Sequence, residues 1–247
     1  MRQKLGQHFL TDRKILERIA VAACGEHCGC VVEIGPGQGA LTGRLLAHAG
    51  HVAAIELDPA LADMVAARFP QVELVRGDAL DTDWGRWPEC SIVGNLPYYL
   101  ATAIIERVVQ RRRPAVFLIQ KEVAQRVAAV PGSRDYGYLS VATQLFAHVE
   151  ILFEVKPGAF RPPPKVDSAV IRLTPRPDSW GVADLDGFLH FLSRCFQYKR
   201  KTLRNNLVES YDRQRVESLP LAGARAERIP LEQFSEIFRQ LSDTIRS

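Results

Sequence analysis

The stretch "VVEIGPGQGALTGRLLAHA", Val31 to Ala49, decides how this chain folds. "VVEIG" has the β-branched, apolar composition of a short strand, and "ALTGRLLAHA" carries its apolar residues at helical spacing. A glycine-rich turn is all that separates them. A strand that passes through so short a turn into a helix is the opening of a parallel βα unit. Gly35, Gly37 and Gly39 let the backbone turn tightly and approach a ligand closely, at the place where doubly wound sheets bind nucleotides. Taken alone, Gly35, Gly37 and Ala40 also satisfy dinucleotide spacing, so a nicotinamide cofactor stays open at this point.

Outward from this unit the alternation continues. "HVAAIELD" is a second strand, followed by a helix with Pro59 in its first turn that runs to about Arg68. "VELVRGDA", "CSIVGN" and "AVFLIQK" are the third, fourth and fifth strands, and "QKEVAQRVAAV" and "YLSVATQLFAHV" are helices separated by the turn-rich "PGSRDYG". "EILFEV" and "SAVIRL", joined by "KPGAFRPPPKVD", are close enough to pair antiparallel at one edge. Beyond "TPRPDSWG" the pattern is purely helical, in "LDGFLHFLSRCFQ", "KTLRNNLVES" and "LEQFSEIFRQLS". The expected fold class is therefore α/β: a Rossmann-like doubly wound sheet, mostly parallel with an antiparallel edge hairpin, over residues 1–176. A small helical domain, 177–247, follows a boundary at Arg176 to Trp180. There is no internal repeat.

With 247 residues, 47% hydrophobic and 24% charged, the chain can bury a core without covalent staples. The net charge of +4 is small, but "RRR" at Arg111 to Arg113 and "YKRKTLR" at Tyr198 to Arg204 concentrate it. Local density of that kind suits a polyanion, although either run taken singly also fits a solvated helix face. Of the 5 cysteines, Cys24, Cys28 and Cys30 fall close together, with no CxxC and no partner pair at finger spacing. No zinc site is expected, and the thiols are expected to be reduced. No apolar run reaches the roughly 18–20 residues of a membrane span, and "MRQKLGQHFL" lacks a signal-peptide core. A soluble, cytoplasmic protein is expected.

Acids mark the next two strand ends. Glu56 closes "IELD" about twenty positions beyond Gly35, which suits a carboxylate accepting from ribose hydroxyls. Asp78, in "GDA", reaches the same rim, where an adenine amino group is a fitting donor. Each acid singly reads as well as a solvated strand end; together with the glycine loop they form a pattern. Glu33, inside the first strand, is placed to orient the loop through its amides.

The fourth strand ends in "SIVGNLPYYLAT", Ser91 to Thr102. Asn95 offers a carboxamide, Leu96 is held extended by Pro97, and Tyr98 adds an aromatic ring. An exocyclic amine on a nucleobase is a poor nucleophile because its lone pair is delocalised. The Asn95 side-chain oxygen and the Leu96 carbonyl can accept its two hydrogens and turn the nitrogen toward tetrahedral geometry. Tyr98 can stack on the base face.

"EIGPGQGALT", "IELD", "GDA" and "GNLPYYLAT" together resemble the S-adenosylmethionine-dependent adenine-N6 methyltransferases. "KLGQHFL", "QKEVAQRV", "YGYLSV", "AFRPPPKVDSAVIRL" and "FQYKRKTLRNNL" resemble one branch of them, the small-subunit (16S) ribosomal RNA dimethyladenosine transferases, from Lys4 to about Leu207. The resemblance implies cofactor contacts at His8, where the family commonly has Asn, and at Leu10, Gly35, Gly37, Glu56, Asp78 and Asn95, with no metal. It implies catalysis by Asn95, Leu96, Pro97 and Tyr98. It also makes Phe160 a second aromatic near the target base, although a plug beneath its loop is an equal reading of that residue, and it leaves Tyr99 where a polar residue often stands. Pro162 to Pro164 stiffen that loop, and Tyr136 and Tyr138 are assigned to structure. The implied substrate is a pair of adjacent adenines near the 3′ end of small-subunit ribosomal RNA, each methylated twice within an immature subunit by a monomeric enzyme. Lys199, Arg200, Lys201 and Arg204 are the candidate RNA contacts. Three other readings stay open. A nicotinamide-dependent dehydrogenase leaves Asn95 to Tyr98 without work. A DNA or large-subunit RNA methyltransferase keeps the same chemistry, and a noncatalytic ribosome-assembly factor keeps only the fold.

Overall fold

The structure, a computed structural model, describes residues 8–177 and 180–242. The first part of the "KLGQHFL" motif, residues 4–7, and residues 178–179 of the expected boundary lie outside the described residues.

The strands are β1 (Phe9–Leu10), β2 (Cys28–Ile34), β3 (Ala49–Glu56), β4 (Glu73–Arg76), β5 (Ser91–Asn95), β6 (Ala115–Gln120), β7 (Ala147–Val155), β8 (Phe160–Arg161) and β9 (Ser168–Pro175). The helices are α1 (Arg13–Cys24), α2 (Thr42–His48), α3 (Pro59–Arg68), α4 (Ala101–Gln110), α5 (Lys121–Val127), α6 (Tyr138–Gln144), α7 (Leu185–Cys195), α8 (Leu203–Leu207), α9 (Arg213–Ser218) and α10 (Leu231–Ser242). Seven strands form one sheet in the order β4-β3-β2-β5-β6-β9-β7. The pairs from β4 to β6 are parallel, and β9 runs antiparallel to β6 with Phe117 opposite Ile171. The expected edge pair is thus present, as neighbouring β9 and β7.

Local chemistry explains the element limits. Asp12 caps α1 by accepting from the amides of Lys14 and Ile15, and Asp58 caps α3 in the same way, with Pro59 at the first helical position. The central strands are covered on both faces, so their runs are continuously apolar: Val31, Val32, Ile92, Val93, Phe117, Leu118 and Ile119 are all buried. Ile104, Ile105, Val108 and Val109 form the buried stripe of α4.

Three expectations are corrected. The run "YLSVATQLFAHV" is not one helix: α6 stops at Gln144 and β7 already begins at Ala147. A short apolar run has no period that separates the two states, and pairing with β9 decides it. "KTLRNNLVES" shrinks to α8, capped by Thr202, and α9 was not foreseen. Third, the cysteines are not all free. Cys30 and Cys90 form a disulfide, leaving Cys24, Cys28 and Cys195 as thiols.

The chain divides into two compact units. One takes the chain up to Ala124 together with His148–Pro175; the other takes Gln125–Ala147 together with the chain from Arg176 onward. The segment 125–147, counted with the sheet in the sequence-based division, joins the later helices for identifiable reasons. The Tyr136 hydroxyl donates to the Ile229 carbonyl at 3.0 Å, and the Gly132 amide to that of Glu227 at 2.7 Å. The Tyr136 ring also meets Phe196 edge-on. The core of this unit is aromatic, with Phe188, Phe191 and Phe234 fully buried. Among the described residues no helix is long and apolar enough to cross a membrane.

Phe117 is fully buried at the centre of the sheet. Phe117→Ala is expected to lower the unfolding free energy by about 3–5 kcal/mol, read from urea titration. A shift below about 1 kcal/mol would show that the sheet core repacks around the lost ring.

Candidate active site

Because β4, β3, β2 and β5 are parallel neighbours, their C-terminal ends open onto one edge, and the loops that follow them converge there. A cavity of about 620 Å³ occupies this edge, within the range of small-ligand sites. Its walls are the glycine loop after β2, Glu56 at the end of β3, Asp78 after β4, Asn95 to Tyr98 at the end of β5, and His8, Phe9 and Leu10. The sequence marked the strand-end residues and glycines of this wall; much of the remaining lining, Phe9 and Phe69 included, it did not.

The glycine loop is shaped by two positions in particular. Gly37 has φ +55° and a Cβ there would lie 3.0 Å from the Phe9 ring; at Gly39, φ +78°, a Cβ would come within 2.5 Å of Phe69. Side chains at these positions would intrude on the cavity wall, so the loop presents bare backbone to whatever binds. Glu56 is 6% exposed and holds the loop in place. Its two carboxylate oxygens accept from the amides of Gly37 and Asp58, each at 3.0 Å. Asp78 accepts from the Leu80 amide at 2.7 Å.

Glu33 takes a different part from the one expected. Its carboxylate accepts the Thr42 hydroxyl at 2.6 Å, at the start of α2, whereas the loop amide of Gly37 goes to Glu56. Burial pushes the Glu33 carboxyl up to about 7, with the Thr42 hydrogen bond pulling the other way and the charge of Glu56 adding to the rise.

At the end of β5, Gly94 is confined: a Cβ there would stand 2.7 Å from the Ile34 carbonyl of the neighbouring strand. The Leu96 amide donates to the Leu118 carbonyl at 3.0 Å, which continues the β5–β6 ladder past the strand and buries Leu96. Asn95 is then fixed by its own side chain. Nδ2 donates to the His8 carbonyl at 3.0 Å, an assignment forced by an acceptor-only partner, and this leaves Oδ1 as an acceptor. The Tyr98 hydroxyl bonds Ser168 Oγ at 3.0 Å, and the His8 and Tyr98 rings lie 6.0 Å apart at 32°. Nothing in the sequence pattern marked Ser168, the first residue of β9, as a site residue.

His8 is held from a third direction. Its Nδ1 donates to the Pro162 carbonyl at 2.8 Å, while Phe9 and Leu10 pair with Arg161 and Phe160 in a two-stranded antiparallel ribbon. This pairing turns the Phe160 ring inward. Phe160 is 1% exposed, packs in the core with Leu10 and is not part of the cavity lining. Tyr99 is 63% exposed, so the unusual residue there meets solvent. Lys199, Arg200, Lys201 and Arg204 are exposed residues of the second unit, with the Lys199 ammonium donating to the Arg134 carbonyl at 3.0 Å.

A doubly wound sheet whose glycine loop and two acids surround a cavity that ends in an Asn-Leu-Pro-Tyr clamp is the arrangement of an S-adenosylmethionine-dependent methyltransferase that acts on a base amine. The comparisons with known proteins narrow this class. Residues 1–243 match the model of the family described as ribosomal RNA adenine dimethylase, and the chain belongs to that family. It is 40% identical over 244 residues to the ribosomal RNA small subunit methyltransferase A of Chlorobium chlorochromatii, covering 96% of this chain and 92% of that one. It is 42% identical over 258 residues to the protein of the same name from Acidobacterium capsulatum, with 97% and 91% covered. Among solved structures, a dimethyladenosine transferase from Plasmodium falciparum superposes with a TM-score of 0.79 at 27% identity, over 93% of this chain and 96% of that one. The 23S rRNA methyltransferase ErmE superposes with a TM-score of 0.73 at 31% identity, over 94% and 99%. Family membership removes the dehydrogenase reading.

The raised Glu33 carboxyl predicts a pH-dependent stability. The folded state holds this proton more tightly than the unfolded state, so the contribution is fully present below about pH 4.5 and lost as pH rises through about 7. Glu33→Gln removes the ionisation. Relative to the parent, its unfolding free energy is expected to gain on the order of 3 kcal/mol between those limits, measured by urea unfolding across pH. A constant difference would show that Glu33 titrates normally.

Proposed function

We propose that this protein transfers methyl groups from S-adenosylmethionine to N6 of two adjacent adenosines near the 3′ end of small-subunit ribosomal RNA, giving N6,N6-dimethyladenosines. It acts as a cytoplasmic monomer on an immature small subunit. The observation that carries this reading is the fixed carboxamide of Asn95, whose nitrogen is committed to His8 and whose oxygen is left to accept.

Glu56 would accept from the ribose hydroxyls of the donor and Asp78 from its adenine amino group, with His8, Leu10, Gly35 and Gly37 completing the contact around the same cavity. Bare glycine backbone and carboxylate acceptors fit a nucleoside of this kind. When bound, S-adenosylmethionine supplies an electrophilic sulfonium methyl group. Asn95 Oδ1 and the Leu96 carbonyl accept the two hydrogens of the adenine amine and direct its lone pair. Pro97 keeps Leu96 extended, and Tyr98, tethered by Ser168, offers its face to the base. The nitrogen becomes acidic once methylated and positively charged, so its proton passes to solvent without a dedicated base. Positioning supplies most of the acceleration. A large-subunit substrate would use the same clamp; the small-subunit methyltransferases among the relatives favour the small subunit.

Labelled S-adenosylmethionine and undermodified small subunits test the reading. Nucleoside mass spectrometry should find dimethyladenosine in small-subunit RNA, and label confined to large-subunit RNA would overturn it. Asn95→Ala is expected to lower turnover by about 10²–10³ while leaving donor affinity nearly intact, and Glu56→Ala to raise the donor Kd by about tenfold or more. Equal methylation by the Asn95 variant rejects the clamp.

Lys199, Arg200 and Lys201 are assigned to phosphate contact. Reversing all three to Glu should weaken subunit binding and reduce the slope of log affinity against log salt by about 2–3. An unchanged slope removes this segment from the RNA surface.

A further inference from the structure

At the rim of the sheet opposite the methyl-transfer cavity, four neighbouring strands begin with a second set of reactive side chains. Cys90 immediately precedes β5, Cys30 lies in β2, His51 in β3 and Glu73 opens β4, and these strands stand side by side in the order β4-β3-β2-β5. Cys30 is the register partner of His51, and Val31 that of Ser91, which places Cys30 level with Cys90. The two Cα atoms are 4.6 Å apart, close enough for a disulfide to form and break without moving the strands.

The surroundings of the pair are those of an activated thiol. His51 Nδ1 lies 3.5 Å from Cys30 Sγ, and His51 Nε2 lies 3.3 Å from a Glu73 carboxylate oxygen. Glu73 is itself held by Trp87 Nε1 and by Arg86, each at 2.9 Å. The result is a sulfur–imidazole–carboxylate row, the order in which a base takes a proton from a thiol and is oriented by a third group. Methyl transfer uses none of these residues. The two sulfurs are also unequal: Cys30 is partly exposed beside an open His51 side chain, whereas Cys90 is buried. The other buried thiols are unsuited to this chemistry, because burial pushes Cys24 and Cys195 up and keeps them protonated. In a cytoplasm that keeps thiols reduced, a disulfide of this kind is a transient species.

We infer that Cys30 is a hydroperoxide-reactive thiol, resolved by Cys90 into a reversible disulfide. In the reduced protein His51 takes the Cys30 proton. The sulfur attacks the terminal peroxide oxygen, forming an S–O bond as the O–O bond breaks, and alcohol or water leaves with the proton. Cys30 is then a sulfenic acid. The Cys90 sulfur attacks it, the S–S bond forms as the S–O bond breaks, and the sulfenic hydroxyl leaves as water with the Cys90 proton. The two thiols lose two electrons in all, which reduce one peroxide. A dithiol reductant restores the pair.

The test uses the whole, fully reduced protein and stoichiometric hydrogen peroxide. Peptide mapping under non-reducing conditions should find Cys30 linked to Cys90 and the other thiols free, with dithiothreitol reversing the link. Cys90→Ala should accumulate a sulfenic acid at Cys30 that dimedone traps, and Cys30→Ser should abolish it. His51→Ala, shown by circular dichroism to be folded, should react about tenfold more slowly at neutral pH. Because Cys90 is buried and its variant is at risk of misfolding, the rate of iodoacetamide labelling in the reduced parent protein is a second measure, and Cys30 should label first. The inference is overturned if Cys24, Cys28 or Cys195 reacts as fast as Cys30, or if His51→Ala has no effect. It is equally overturned if the reduced protein retains stoichiometric zinc, since the ligand atoms of Cys30, His51 and Cys90 lie within 4.8 Å of one another and would then be a metal site.

Discussion

The hydrogen bond from Asn95 Nδ2 to the His8 carbonyl holds the site together. A carboxamide is symmetric in shape and unsymmetric in chemistry, and only a fixed partner on one side settles which end is left to accept. Here the partner is backbone, in a segment held in turn by the ribbon with β8 and by the His8 ring on the Pro162 carbonyl. Segments that are distant along the chain therefore brace one another around the end of β5. Gly94 completes the constraint, since the neighbouring strand leaves no room for a side chain immediately before Asn95.

The two buried acids beside the glycine loop divide their tasks by environment. Glu56 receives two backbone amides, one on each carboxylate oxygen, and is tied to the loop at the cavity wall. Glu33 receives one hydroxyl and is almost wholly enclosed, and the neighbouring charge raises it further. Burial is the larger cause of the rise at Glu33, and enclosure of a carboxyl with a single hydroxyl partner favours its neutral form.

The sheet and the strand-end residues of the cavity wall were legible because parallel pairing leaves little choice. Once "VVEIG", "IELD", "GDA" and "GNLPYY" are strand ends of one sheet, their last residues must meet at one edge, and Gly35, Glu56, Asp78 and Asn95 do. What was illegible depends on contacts with no local pattern. A two-residue strand such as β1 has no period to detect, and without its pairing to β8 the inward turn of Phe160 has no cause. The disulfide joins residues separated by 60 positions, and its cysteines lack any motif spacing. The exchange of tasks between Glu33 and Glu56 rests on which amide each carboxylate reaches, and composition does not encode that. Segment 125–147 groups with the later helices through partners, Glu227 and Ile229, that come about a hundred residues later and leave no local pattern.

The β1–β8 ribbon also ties the cavity to a distant part of the sequence. The carbonyl that anchors the His8 ring belongs to Pro162, 154 positions later in the sequence. A fragment that stops short of that proline would keep the glycine loop and lose the support of the segment that braces the Asn95 amide. Severing the chain anywhere between the glycine loop and Pro162 would therefore loosen the Asn95 amide without touching it.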